Sequence, residues 1–136
     1  MTDAVPLTHT SVGDRAADAV ALTDAIVTDP VTMINAFTVP AAERALFLDR
    51  WKDNAAAMAR QPGFVQARMY EALEDEAQLG FVNVVRWGSG AALAEARKQP
   101  EWRAAVQRMM DDEGLHITAR PMVYRTALVV DPGGAP

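Results

Sequence analysis

Two strand-length segments of this chain are apolar on both of their alternating faces. One is VTMINAFTV, Val31 to Val39; the other contains FVNVVRW, Phe81 to Trp87. Successive strand residues point to opposite faces. In the second segment Phe81, Asn83, Val85 and Trp87 point one way and Val82, Val84 and Arg86 the other. In the first, Met33, Asn35 and Phe37 oppose Thr32, Ile34 and Ala36. A sheet with one wet face alternates apolar with polar. These segments do not, so the sheet that holds them needs cover on both sides.

The rest of the chain limits what that cover can be. After Val39, Pro40 suits a first helical position, with Glu43 near the positive end of the helix dipole. The spacing of Leu48, Trp51, Ala55 and Met58 predicts a helix from Pro40 to about Arg60, stopped by Gln61-Pro62-Gly63. Phe64 to Leu73 and Gln78 to Trp87 read as strands joined by a charged turn, Glu74 to Ala77. Gly88-Ser89-Gly90 opens a second helical region with Ser89 as its N-cap. Pro100 breaks that region, and a second part runs to about Asp112. His116 to Val130 is a last strand. It contains Pro121, which cannot donate to a ladder and so predicts an edge strand or a bulge.

The order is β-α-β-β-α-β. A split βαβ repeated in this way is an α+β, ferredoxin-like antiparallel sheet with its helices on one face. The other apolar face then lacks a cover, and a second copy of the sheet is the simplest one. A face-to-face homodimer is therefore expected.

Composition excludes several function classes. The 136 residues include no cysteine, which removes disulfide scaffolds, thiolate metal sites and cysteine nucleophiles. The two histidines, His9 and His116, are far apart, so no multi-histidine metal site is expected. A net charge of −5 argues against nucleic acid as a partner. Apolar runs are too short for a membrane span, and no secretory leader is apparent, so a cytoplasmic protein is expected. Residues 1 to about 29 read as a flexible arm, or simply a disordered tail; residues 30–130 are the folded domain and 131–136 a Pro/Gly tail.

Asn35 and Asn83 are the residues of chemical interest. Each sits mid-strand among β-branched and aromatic neighbours, where asparagine is disfavoured. The first and third strands of this fold are neighbours, so both amides can line one wall. Trp87 lies four residues beyond Asn83 on the same face, with Phe81 and Val85 completing the stripe and Phe37 beside Asn35. Mostly apolar walls with a few convergent donors describe a small-molecule pocket. The alternative is an Asn83 amide bonded to backbone and a Trp87 that is simply core. Asn54 on the first helix reads as solvated, and Trp51 and Trp102 read as core. His116 reads as structural or solvated.

VTMINAFTVP, the helix containing FLDRWKDNAAAMARQPGF, and FVNVVRW with its small-residue turn resemble the antibiotic biosynthesis monooxygenase (ABM) family over roughly residues 31 to 128. The resemblance implies a dimeric ferredoxin-like α/β barrel. Some members oxidise anthrone-like aromatic polyketides to quinones with O₂, without metal or flavin; others degrade haem, and some relatives are cyclases. The quinone-forming members contact substrate through an Asn and a Trp matched by Asn83 and Trp87. Their histidine falls at Glu71, a possible base here, and their tyrosine at Leu93, which places Leu93 on the expected substrate wall. Their arginine falls at Val106, near Arg103 and Arg108. Haem-degrading members use a first-strand Asn matched by Asn35, but their Trp and His fall at about Ala96 and Val106, so haem degradation is not expected. The expected activity is thus a cofactor-independent monooxygenase with a small aromatic or hydrophobic substrate. The alternative is a non-catalytic or cyclase-like binding protein using the same pocket.

Overall fold

The computed structural model describes residues 28–74 and 79–134. The expected N-terminal arm, up to residue 27, lies outside the described residues, as do positions 75–78 of the hairpin turn.

Four strands form one antiparallel sheet: β1 (Val31–Thr38), β2 (Phe64–Glu71), β3 (Phe81–Trp87) and β4 (Thr118–Tyr124), in the order β2-β3-β1-β4. Three α-helices accompany them: α1 (Arg44–Ala59), α2 (Gly90–Ala96) and α3 (Pro100–Met110). This is the α+β, ferredoxin-like arrangement. β1 and β3 are central neighbours, and β4 with its Pro121 is an edge strand.

Local chemistry explains most element ends. The Ser89 side chain accepts from the Ala92 N–H at 3.1 Å and caps α2. Pro100 opens α3, where its missing N–H costs no helical bond. Gly63 turns the chain after α1 with φ +86°, and a Cβ there would lie 2.4 Å from the Ala92 Cβ, so the turn needs glycine for conformation and for space. Its carbonyl accepts from the Gly88 N–H at 2.8 Å, tying the α1–β2 turn to the end of β3.

Several expectations require correction. Pro40 does not begin an α-helix. It precedes a short 3-10 turn, Ala41–Glu43, and α1 starts at Arg44. Glu43 instead clasps His116, accepting from its backbone N–H at 2.6 Å and pairing with its Nδ1 at 2.7 Å. The buried stripe of α1 is not the one containing Leu48, which is exposed; it runs through Phe47, Trp51, Asn54 and Met58. β4 stops at Tyr124 rather than Val130, because Tyr124 already faces Thr32 and β1 has almost no residues left to pair. β2 likewise ends at Glu71, and the Ala72 N–H to Gly80 carbonyl bond of 2.8 Å closes the hairpin beyond it.

The helix-side core is in two parts. One gathers Met58, Val85, Trp87, Leu93 and Trp102. The other gathers Phe37, Phe47, Phe81, Met109 and Leu115. Between them, Asn35 faces Asn83 across the β1–β3 ladder and Pro121 across the β1–β4 ladder. Two amides at mid-sheet thus separate two apolar clusters.

Candidate functional site

Asn83 is 1% exposed, and neither its Oδ1 nor its Nδ2 has a hydrogen-bond partner among the described residues. The Trp87 Nε1 and the Asn35 Oδ1 are likewise buried and unpartnered. A buried polar group without a partner costs about 1–3 kcal/mol. Native interiors rarely tolerate this, so a cluster of such groups on one sheet face marks a place where something else supplies the partners. Strand alternation puts all three on the helix side of β1 and β3. Trp87 is held by an edge contact with Phe64 at 5.7 Å and by stacking on Trp102 at 5.9 Å.

A cavity of about 60 Å³ opens beside Asn35. Its sheet wall carries Met33, Asn35, Phe37 and Ala119; its helix wall carries Trp51, Asn54 and Met58 from α1 and Trp102, Val106 and Met109 from α3. Room for a few waters is far below the ~300–1,000 Å³ of a typical ligand pocket. The walls are adaptable, however, because Met33, Met58, Met109 and Met110 all line the space, and methionine repacks easily. Among the described residues no ionisable side chain lines it. Arg97 reaches a wall residue, with its Nη2 3.6 Å from the Met33 Sδ, and burial pulls its pKa down.

The residues expected at the site fall into two groups. Asn35 and Phe37 line the cavity. Asn83 and Trp87 lie next to it in the sheet but off its wall, while Phe81, Val85 and Leu93 are packed shut: Phe81 lies 4.8 Å from Phe47, ring to ring, and Val85 and Leu93 are fully buried. Glu71 is exposed at the end of β2, 3.7 Å from Arg44, away from the cavity. Arg103 and Arg108 are exposed on α3, and Val106 is on the cavity wall.

Asn54 overturns its sequence reading. It is buried, not solvated, and its Oδ1 accepts from the Trp102 Nε1 at 3.2 Å. The signal was present in the 47-51-54-58 spacing, which places Asn54 in the middle of the inward stripe. Trp102 is buried, as expected of core, yet it and the half-buried Trp51 also line the cavity.

Residues 30–108, more than half of the chain, match the family model described as antibiotic biosynthesis monooxygenase. The chain belongs to the antibiotic biosynthesis monooxygenase family. Solved structures agree with this ABM assignment. A putative monooxygenase from Shewanella loihica PV-4 is 26% identical, with a TM-score of 0.61 over 74% of this chain and 97% of that one. SnoaB, a cofactor-independent oxygenase from Streptomyces nogalater, is 27% identical, with a TM-score of 0.61 over 74% of this chain and 96% of that one. HapK from Hahella chejuensis, at 16% identity and a TM-score of 0.59 over 76% and 99%, shares the fold. Comparison with curated proteins finds no match. Among the described residues no helix of this ABM domain is long and apolar enough to cross a membrane.

Proposed function

We propose that the chain is a cofactor-independent monooxygenase that oxidises an aromatic polyketide or similar polycyclic phenol, of the anthrone-to-quinone type, with O₂. The observation that carries this reading is the amide of Asn83, without a partner among the described residues and buried on the same sheet face as the equally unpartnered indole N–H of Trp87. Two donors without protein partners suit an oxyanion that exists only while substrate reacts. Membership of the ABM family and the 27% identity to a cofactor-independent oxygenase support it.

In this chemistry the ring methylene of the substrate loses a proton to water, and its electrons spread onto the carbonyl oxygen. Asn83 and Trp87 donate to that oxygen, and Asn35 assists from β1. The carbanion passes an electron to O₂, the pair combine as a carbon-bound peroxide, and its O–O bond breaks. The carbon loses two hydrogens and gains one oxygen as a ketone; the second oxygen leaves as water. Phe37 contacts the substrate directly. For Asn83 and Trp87 to reach the oxygen, and for Phe81, Val85 and Leu93 to touch the substrate, the methionine-lined space must widen toward β3.

The functional unit is a homodimer. The outer sheet face carries Ile34, Ala36, Val82 and Val84 at its centre and Arg68, Arg86 and Arg120 around them, and a second copy supplies the cover.

One observation favours a second reading. Among the described residues no ionisable side chain lines the cavity to act as a base, and a binding or cyclase-like protein needs none. Oxygen uptake with dithranol, measured beside binding of the same compound, separates the two. Uptake well above the buffer blank supports oxidation. Tight binding with uptake at the blank rate replaces the oxygenase with the binding protein.

A further inference from the structure

The geometry points to Asn54 as a committed hydrogen-bond donor in the cavity, locked by Trp102, so that the ligand must present an oxygen acceptor to the helix wall. The orientation of an asparagine amide is normally ambiguous, because its oxygen and nitrogen look alike. Here the partner removes the ambiguity. An indole Nε1–H donates and never accepts. The atom 3.2 Å from it must therefore be the Asn54 oxygen, which leaves the two Nδ2 hydrogens to face elsewhere. They have no acceptor among the described residues, although Asn54 is 3% exposed and lines the cavity.

Two features make this a fixed donor rather than a loose one. Asn54 lies mid-helix in α1, with Met58 one turn further along the same face. Trp102 is itself stacked on Trp87, so the indole that holds the amide is held in turn. A rotation of the amide by half a turn would set its NH₂ against the indole N–H, two donors facing each other in a buried space. The side chain therefore cannot adapt to a ligand that offers a donor at this point. With Asn35 on the opposite wall, the cavity has polar groups on two sides and apolar ones between. That pattern fits a flat aromatic with oxygen functions on opposite edges, of which the one toward α1 is a carbonyl or phenolate.

This rests on the reading of the cavity as the substrate site, but not on the oxidation itself. It is tested by anaerobic binding, where no turnover occurs. The probes are 9,10-anthraquinone and anthrone, which differ by the second carbonyl oxygen on the opposite edge, and affinities are measured by calorimetry. The wild type is expected to prefer anthraquinone by about tenfold, the worth of a good neutral hydrogen bond. Asn54→Leu keeps the branched outline of the side chain and removes the donor, and its preference is expected to fall to about twofold. Trp102→Phe releases the amide and is expected to fall between. A wild type without preference, or an Asn54→Leu variant that keeps it in full, overturns the inference. If Asn54→Leu does not fold, an undiminished preference in Trp102→Phe overturns it. A wild type that shows the preference but consumes no O₂ leaves this inference standing and ends the oxygenase reading.

Discussion

Replacing Asn83 with leucine is expected to make the protein more stable and less active at once. Leucine has nearly the shape of asparagine, with methyl groups where the amide oxygen and nitrogen stood. In the wild type both of those atoms are buried without a partner. Each such group costs about 1–3 kcal/mol, so removing two without opening a void is expected to return roughly 2 kcal/mol after allowance for water that reaches them from the cavity. At the ~4–8 °C per kcal/mol that suits a domain of about 100 residues, Tm is expected to rise by about 8–16 °C. The same change deletes one donor from the reacting oxygen, which elsewhere costs about 10²–10³ in kcat. Differential scanning fluorimetry and oxygen uptake with dithranol, on one preparation, read both quantities. A Tm lowered by several degrees with uptake unchanged would falsify the reasoning, because it would show the amide bonded within the protein and irrelevant to the substrate. A raised Tm with unchanged uptake would leave the amide idle and remove the residue-level support for catalysis.

Other substitutions probe other levels. Val84→Asp puts a carboxylate at the centre of the outer sheet face; the wild type is expected to be a dimer by light scattering at micromolar concentration and the variant a monomer or unfolded, and a wild-type monomer refutes the covered-face argument. Gly63→Ala sets a Cβ 2.4 Å from that of Ala92 at φ +86°, so a loss of at least ~2 kcal/mol is expected in urea unfolding, and a neutral result would mean the α1–β2 turn does not press on α2. The pH response concerns the α3–β4 connection. Bonding from the His116 backbone N–H holds the Glu43 carboxyl below its ordinary range, and bonding from Arg50 and then from the Gly114 N–H does the same for Asp112. A depressed carboxyl stabilises the fold fully above the ordinary carboxylate pKa and loses that contribution as pH falls through the depressed value. Tm is therefore expected to fall below about pH 4, and Glu43→Gln with Asp112→Asn to flatten the curve; parallel curves would show that these clasps do not matter.

Most of the architecture was legible because its signals are local. Pro121 announced an edge strand from the chemistry of its own nitrogen, and β4 is at the edge. Ser89 announced the start of α2 through its hydroxyl. That Asn35 and Asn83 stand on neighbouring strands followed from strand order, whereas their direct pairing is a matter of register. Features that depend on a partner's length or position were not legible. The end of β4 is set by where β1 begins, which no property of residues 125–130 reveals. The choice between the Leu48 and Phe47 stripes in α1 is decided by the sheet beneath, where Phe37 and Phe81 receive the Phe47 ring at 5.0 and 4.8 Å. Asn54 was missed with that choice of stripe: the Phe47 spacing carries it inward, polarity alone suggested water, and the indole across the helix pair satisfies its oxygen there.

The amides between the two core clusters also bear on how the domain breathes. In a small sheet the middle of the central strands is ordinarily the last part to open, because it is the driest. Here that middle holds the groups with most to gain from water. Parting α1 and α3 from the sheet along this line lets solvent meet Asn35 and Asn83, which offsets some of the cost of separation, and the methionines beside it yield without a fixed shape to lose. The easiest excursion of the domain thus runs along the line a substrate would need to follow. Thermal motion supplies the doorway, and hydrogen exchange should find the amides of residues 35 and 83 less protected than those of 33 and 85 on the same strands.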